Sequence, residues 1–232
     1  MKLKIATYNI ANGYWCGHDM KKLAADILAV SPDIIGLQEV DRFCKRSKYM
    51  DTVKLLSELT GYRYTHYTKN IFLEGDKETY GQEGEYGTAV FSKHPILSAE
   101  AVMLDSANYE QRGYSKLRID VDGNELLFIN THLTYENTEK RKEQLVHLGE
   151  VLKNESSFFL TGDFNTETFD DFKPITNGTL TNNEQTRFES FPATKVAIDN
   201  IVYSSDFKRI NAATYPSNAS DHIMLWAEFE KI

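Results

Sequence analysis

About ten short strand-like runs stand against three helical ones in this chain of 232 residues, and that imbalance limits the architectures open to it. Residues 3–10 alternate apolar and polar in the strand manner and end at Asn12-Gly13. Residues 34–40 form a short apolar run of the buried-strand type. Further strands are expected at 62–67, 87–92, 96–103, 114–121, 125–131, 157–162, 197–203 and 222–229. The helices are expected at 19–30, 51–59 and 138–153. In the first, Met20, Leu23, Ala24, Ile27 and Leu28 share one face and Pro32 stops it. Asp51 is the N-cap of the second and Gly61 its stop, and Leu145, Leu148, Val151 and Leu152 make the stripe of the third. Alternating helices on a doubly wound parallel sheet would need many more helices. The expectation is an α+β chain: two packed, mainly antiparallel sheets with helices outside. No linker, repeat or low-complexity tract interrupts it, so residues 1–232 read as one domain. Residues 68–86, acidic and glycine-bearing, and 176–196, rich in Thr and Asn, are expected as substrate-facing surface loops.

Charge and cysteine content exclude several classes of function. Thirty-four acidic residues outweigh 26 basic ones, a formal net charge of −8, so no broad basic footprint marks general nucleic-acid or anionic-membrane binding. Two cysteines, Cys16 and Cys44, are too few for a disulfide framework or a four-thiolate zinc site. No run approaches the length of a membrane span, and Met1 to Asn9 carries basic residues without a long apolar stretch behind them. The expectation is a cytoplasmic monomer with no stable membrane association.

The chemistry gathers where strands end. Ser157 to Leu160 is apolar and then delivers Asp163 and Asn165, two apart and pointing the same way if the chain stays extended. The run from Ile34 ends in Gln38-Glu39, the run from Leu126 in His132, and the run from Ile5 in Asn9, which shares a face with Thr7. Asp199 lies inside an apolar strand, and Asp221-His222 immediately precedes another. Each of these alone reads as a capping or ion-pair residue. Six together make a converging site, because buried carboxylate and imidazole groups are costly unless paired or liganded. Asn, Asp and Glu oxygens without clustered Cys or His suit a hard ion, Mg²⁺ or Mn²⁺, and the six histidines lack zinc-site spacing. There is no phosphate-binding Gly-x-x-x-x-Gly-Lys loop and no nucleophile elbow.

These motifs, in order along nearly the whole chain, resemble the endonuclease/exonuclease/phosphatase (DNase I-like) superfamily in a compact bacterial form. They are Thr7-Tyr8-Asn9-Ile10, Gln38-Glu39, Gly87-Thr88-Ala89-Val90-Phe91-Ser92-Lys93, Thr131-His132, Gly162-Asp163-Phe164-Asn165, Ile198-Asp199 and Ser220-Asp221-His222. The resemblance implies a four-layer α/β/β/α sandwich and Mg²⁺- or Mn²⁺-dependent hydrolysis of phosphoesters. It implies Glu39 as principal metal ligand, helped by Asn9 and, directly or through water, Asp221. Asp163 would orient and deprotonate the attacking water, with Asn165 fixing it or a phosphate oxygen. His222, held by Asp199, would stabilise the phosphoryl charge. His132 would be a phosphate ligand or general acid, oriented by Glu85. Arg112 either clamps a phosphate oxygen or is a surface-loop residue. His18, His66, His94 and His147 are expected to be structural or solvated. Tyr14 and Trp15 either stack on a substrate ring or pack within their loop.

The chain also departs from the family's pattern. Ala197 and Asn200 occupy positions where many members carry a basic residue and an aromatic or His, so Lys195 would have to substitute for the basic contact. Thr161 and Thr166-Glu167 disfavour the inositol-phosphatase branch, and the acidic 68–86 segment disfavours gripping duplex DNA. The leading expectation is a phosphodiesterase acting on a small or single-stranded phosphoester. The alternatives are a phosphomonoesterase or lipid-headgroup phosphodiesterase, and a non-catalytic scaffold that keeps the fold.

Overall fold

The computed structural model describes residues 1–75, 81 and 83–232. Among them are twelve strands: β1 (Lys2–Asn9), β2 (Ile34–Arg42), β3 (Tyr64–Glu74), β4 (Glu83–Ser92), β5 (Ile96–Met103), β6 (Gly113–Val121), β7 (Asn124–His132), β8 (Phe158–Asp163), β9 (Gly178–Leu180), β10 (Asp199–Ser204), β11 (Phe207–Tyr215) and β12 (Met224–Lys231). The helices are α1 (Met20–Val30), α2 (Thr52–Thr60) and α3 (Thr138–Leu152). Asp19, Asp51 and Asn137 cap them, each accepting a backbone N–H of the first turn.

Two six-stranded sheets form, in the orders β11-β12-β1-β2-β4-β3 and β5-β6-β7-β8-β10-β9. Each contains a single parallel pair, β1 with β2 and β7 with β8, and antiparallel pairings elsewhere. A parallel pair needs a crossover. Here α1 lies between β1 and β2 and α3 between β7 and β8, so the two sheets repeat one design. Three apolar layers hold the sandwich together. Tyr8, Leu23, Ile27, Leu37, Leu56 and Phe91 pack the first sheet against α1 and α2. Ile5, Phe128, Phe159, Leu225 and Phe229 fill the space between the sheets, and Ile129, Leu145, Leu148, Leu152 and Phe158 seat α3 on the second. The four-layer α/β/β/α expectation holds. No helix among the described residues is long and apolar enough to cross a membrane.

Both expected surface loops contain strand. Most of 68–86 belongs to a β3–β4 ribbon paired out to Glu74 and Glu83, while Asp76 and Glu78 lie outside the described residues. An edge ribbon needs only main-chain partners, so its charged sequence gave no strand signal. Within 176–196, β9 pairs with β10. The third helix ends at Leu152, and β11, unanticipated, covers the outer side of β12. Cys16 and Cys44 are both free and buried.

Candidate active site

The face of each central strand that looks between the sheets begins apolar and turns polar. On β1, Leu3 and Ile5 give way to Thr7 and Asn9; on β7, Phe128 gives way to Asn130 and His132; on β8, Phe159 gives way to Thr161 and Asp163. In the middle of this column Gln38 Nε2 donates to Asn130 Oδ1 at 2.6 Å and to Thr7 Oγ1 at 3.0 Å, and Thr161 Oγ1 donates to Asn130 Oδ1 at 3.1 Å. Asn130 Nδ2 donates in turn to the carbonyls of Leu37 and Ala89. Gly36 makes room for the network, since a Cβ there would lie 2.2 Å from Asn130 Oδ1 and 2.4 Å from Thr161 Oγ1. The network ties the two sheets together beneath the site. A sequence reading sees its members only as isolated polar residues.

Above it, the ends of β1, β2, β7 and β8 meet the start of β10 and the turn before β12. Irregular backbone does the final aiming. A register shift in β2 between Leu37 and Val40 places Glu39 at φ 54° and turns it toward the pocket. Asn165 sits at φ 51°, so the extended-chain argument for its direction fails there. Its placement comes from a turn in which its N–H donates to Asp163 Oδ1 at 3.0 Å. Asp199 pairs with Asp163 across β10 and β8. Ser220 Oγ donates to the Asn9 carbonyl at 2.8 Å, which fixes the turn carrying Asp221 and His222 to the end of β1.

A cavity of about 300 Å³ results, lined by Glu39, Arg112, His132, Asp163, Asn165, Asp221 and His222, with Tyr86, Glu110, Tyr135 and Phe191 among the rest. Asn9 lies beneath it, fully buried. Its Nδ2 donates to Glu39 Oε1 and to Asp163 Oδ2, each at 3.0 Å, while its Oδ1 accepts from the Ala11 N–H. Asn9 therefore enters as a donor joining two carboxylates, and ligation through its oxygen would require the amide to turn. His222 Nδ1 donates to Asp199 Oδ2 at 2.8 Å, with Nε2 at 3.6 Å from Asp163 Oδ2.

His132 has a different partner from the one expected. Glu85 pairs with Arg42 at 3.5 Å and Lys69 at 3.6 Å, further out along the ribbon, and does not meet His132. Instead Arg112 Nη1, 3.0 Å away, faces His132 Nδ1. Arginine only donates, so Nδ1 accepts and the proton belongs on Nε2, which lies 3.1 Å from the Asn165 side-chain amide and 3.5 Å from Asp163 Oδ2. Arg112 is no surface-loop residue: it is buried and pairs with Glu110 at 2.8 Å. Lys195 is exposed and absent from the pocket lining, and Asn200 is spent on Asn182. Tyr14 and Trp15 are exposed, stack edge-on against each other, and do not line the pocket.

Electrostatics set the two histidines apart. Burial holds the His132 pKa well below its ordinary 6.5, and Arg112 and His222 add to the effect. Burial would lower His222 too, but the charge and hydrogen bond of Asp199 outweigh it and push the value up to about 10. Asp163 is raised to about 7 by burial and by Asp199, against the opposing pull of His222 and Asn9. At neutral pH His222 is an imidazolium, His132 a neutral N–H donor and Asp163 a carboxylate close to its titration point.

The donor set suits a hard cation. Glu39 and Asp221 are half-buried, and among the described residues neither has a lysine or arginine partner. Asp163, Asp199 and His222 bring ligand atoms within 4.8 Å of one another, and Asp199 Oδ1 is buried without a hydrogen-bond partner. His222 and Asp199 are already committed to each other, however, so a cation there would have to displace a strongly held proton. Glu39 and Asp221 carry neutral partners only, Asn9 on Glu39 Oε1 and Ser220 on Asp221 Oδ1, and so offer carboxylate oxygens, the ligands that Mg²⁺ and Mn²⁺ prefer.

Comparison with known proteins agrees with this picture. A sequence model described as the Endonuclease/Exonuclease/phosphatase family matches residues 6–222. No curated protein matches the sequence. Among solved structures, an endonuclease/exonuclease/phosphatase from Beutenbergia cavernae superposes with a TM-score of 0.81 at 19% identity, covering 99% of this chain and 72% of that one. D. rerio TDP2, complexed with single strand DNA product, gives 0.78 at 15% identity, covering 99% of both chains. The mannosyl-6-phosphatase of Bacteroides thetaiotaomicron gives 0.70 at 21% identity, covering 98% of this chain and 99% of that one.

Proposed function

Because the chain belongs to the endonuclease/exonuclease/phosphatase family, whose members are phosphoester hydrolases, we propose that it is a divalent-metal-dependent phosphodiesterase. Its substrate would be a small or single-stranded phosphoester. The observation that carries the reading is the Asp163 carboxylate, held by Asn9 and the Asn165 N–H and faced by an imidazolium and a neutral imidazole.

In this reading Glu39 and Asp221 would hold Mg²⁺ or Mn²⁺, with Asn9 fixing the Glu39 carboxylate. The bound ion would supply Lewis-acid polarisation of the phosphoryl oxygens and stabilise charge on the leaving group. Asp163 takes the proton of the attacking water, and a pKa of about 7 gives it the strength of a base working near neutrality. His222 presents its Nε2 proton to a phosphoryl oxygen while Asp199 holds the charge on the ring. His132 donates from Nε2 as a neutral group. Its depressed pKa argues against the general-acid role, since an imidazole that stays neutral has no labile second proton. Asn165 Nδ2 donates to the Leu133 carbonyl at 2.9 Å and lies 3.1 Å from His132 Nε2, so in this reading it positions the imidazole at the edge of the pocket where a phosphate oxygen would sit. Arg112 holds His132 and flanks the same pocket.

The likeness to a mannosyl-6-phosphatase favours a second reading, a phosphomonoesterase on the same machinery. Hydrolysis of bis(p-nitrophenyl) phosphate and of p-nitrophenyl phosphate, each with Mg²⁺ or Mn²⁺ and with EDTA, separates the two. Metal-dependent release from the diester supports the proposal, and release from the monoester alone supports the second reading. Metal-independent release, or none from folded protein that binds Mn²⁺, would overturn both.

A further inference from the structure

Beside the catalytic pocket lies a buried cation that the mechanism does not use. Arg141, in the second turn of α3, is 8% exposed. Its Nη1 donates to the Thr134 carbonyl at 3.2 Å and its Nη2 to the Thr138 hydroxyl at 3.3 Å, while Nε is buried without a partner. A guanidinium has five N–H donors, and the two accounted for here meet neutral oxygens. Among the described residues no carboxylate comes within ion-pair distance. A buried charge without an ion pair is costly, and burial holds the Arg141 pKa below its ordinary value although Asp171, Asp163 and Glu167 act at longer range in the other direction.

Arg141 lines a second cavity, of about 270 Å³, together with Lys142, Asn165 and Thr168. Asn165 also lines the catalytic pocket, so the two spaces adjoin. Glu167 and Asp171 share the wall; Asp171 accepts the Thr166 hydroxyl at 2.6 Å, and neither acid pairs with Arg141. Arg141 is a charged fork anchored on Thr134 and Thr138, with donors left over, in a cavity that shares Asn165 with the catalytic pocket.

We propose that this cavity seats a second phosphate of the substrate against Arg141 while the scissile phosphate occupies the neighbouring pocket. The inference rests on the phosphoesterase reading and narrows it to substrates with two phosphates about one sugar apart. A terminal phosphate of a nucleoside bisphosphate and an internal diester of a single strand share that chemistry.

The test is calorimetric binding to the full chain in Ca²⁺, with thymidine 5′-monophosphate, thymidine 3′,5′-bisphosphate and the dinucleotide pTpT as probes. The second phosphate should tighten binding at least tenfold in one or both of the larger ligands, and which of them responds distinguishes the two sources. Arg141→Gln should reduce that ratio to within twofold, and Arg141→Lys should restore part of it. Thr168→Glu, a substitution at an exposed wall position, should reduce the ratio without altering Arg141, and it decides the matter if Arg141→Gln does not fold. Equal affinities for all three probes in the unaltered protein, or a ratio unmoved by the folded variants, would overturn the subsite. An intact ratio in a protein that hydrolyses neither nitrophenyl ester would overturn the phosphoesterase reading and leave the subsite standing.

Discussion

Asp199→Asn tests the electrostatic reading of the pocket with little change in shape. The asparagine oxygen still accepts from His222 Nδ1, so the 2.8 Å contact survives while its charge is lost. Burial opposes the charge on His222 and Asp199 is the chief group raising it; without Asp199 only Asp163 and Asp221 still raise the value, which falls from about 10 toward the ordinary 6.5. At pH 8 a pKa of about 10 leaves the ring about 99% protonated, whereas 6.5 leaves about 3%. Loss of the imidazolium therefore lowers kcat/KM by up to about thirtyfold at pH 8, before any loss of preorganisation, which adds on the order of tenfold to a hundredfold. The protonation part shrinks as the pH is lowered toward 6. Asp199 also helps raise Asp163, so the acidic limb of the profile moves to lower pH together with the alkaline one. The assay is the pH profile of kcat/KM on bis(p-nitrophenyl) phosphate from pH 5 to 10, with His222 titrated by NMR in the same variant. A variant-to-parent ratio that is the same at pH 6 and pH 8, or a His222 pKa still near 10, would refute the reasoning.

Glu39→Gln should weaken Mn²⁺ binding at least tenfold by paramagnetic titration with thermal unfolding unchanged, and an unaltered affinity would remove Glu39 from the metal site. Gly36→Ala drives a methyl group into Asn130 and Thr161 and should cost about 1–3 kcal/mol in urea unfolding, so an unchanged midpoint would contradict the packing described. His132 keeps its folded-state pKa well below 6.5, so the unfolded chain takes up a proton that the folded chain resists. Its contribution is present above pH 6.5 and is lost as pH falls below it. The fall in stability between pH 7 and 5 should be shallower in His132→Gln, and an equal slope would contradict the assignment.

Much of this site is readable in the sequence because its residues sit at the ends of apolar runs, where alternation fixes which face each occupies. Asn9, His132 and Asp163 follow that rule, while Asp199 opens its strand and is placed by pairing with Asp163. Glu39 and Asn165 do not follow it, since both have left-handed backbone and reach the pocket through a strand irregularity and a turn that periodicity cannot register. Partners across the fold are harder still. Glu85 is as plausible a companion for His132 as any acid in the sequence, yet Arg42 and Lys69 hold it. Arg112, read evenly as clamp or surface residue, is buried by contacts with Glu110 and His132 that exist only after folding. Arg141 is lost among the charges of Glu139-Lys140-Arg141-Lys142-Glu143, where nothing distinguishes the buried cation from the solvated ones. Strands β9 and β11 are short or exposed and carry no apolar signal of their own.

In the proposed mechanism Asp163 is the base for a metal-dependent attack on phosphorus. The rate of bis(p-nitrophenyl) phosphate hydrolysis across a Mn²⁺ titration, compared between the parent protein and Asp163→Asn, tests it most directly. The expected result is a loss of at least about a hundredfold in kcat at saturating Mn²⁺, with half-saturation by the metal changed only a few-fold. A variant that keeps its rate at saturating metal, or recovers it merely by added Mn²⁺, would contradict the assignment of Asp163 as the base.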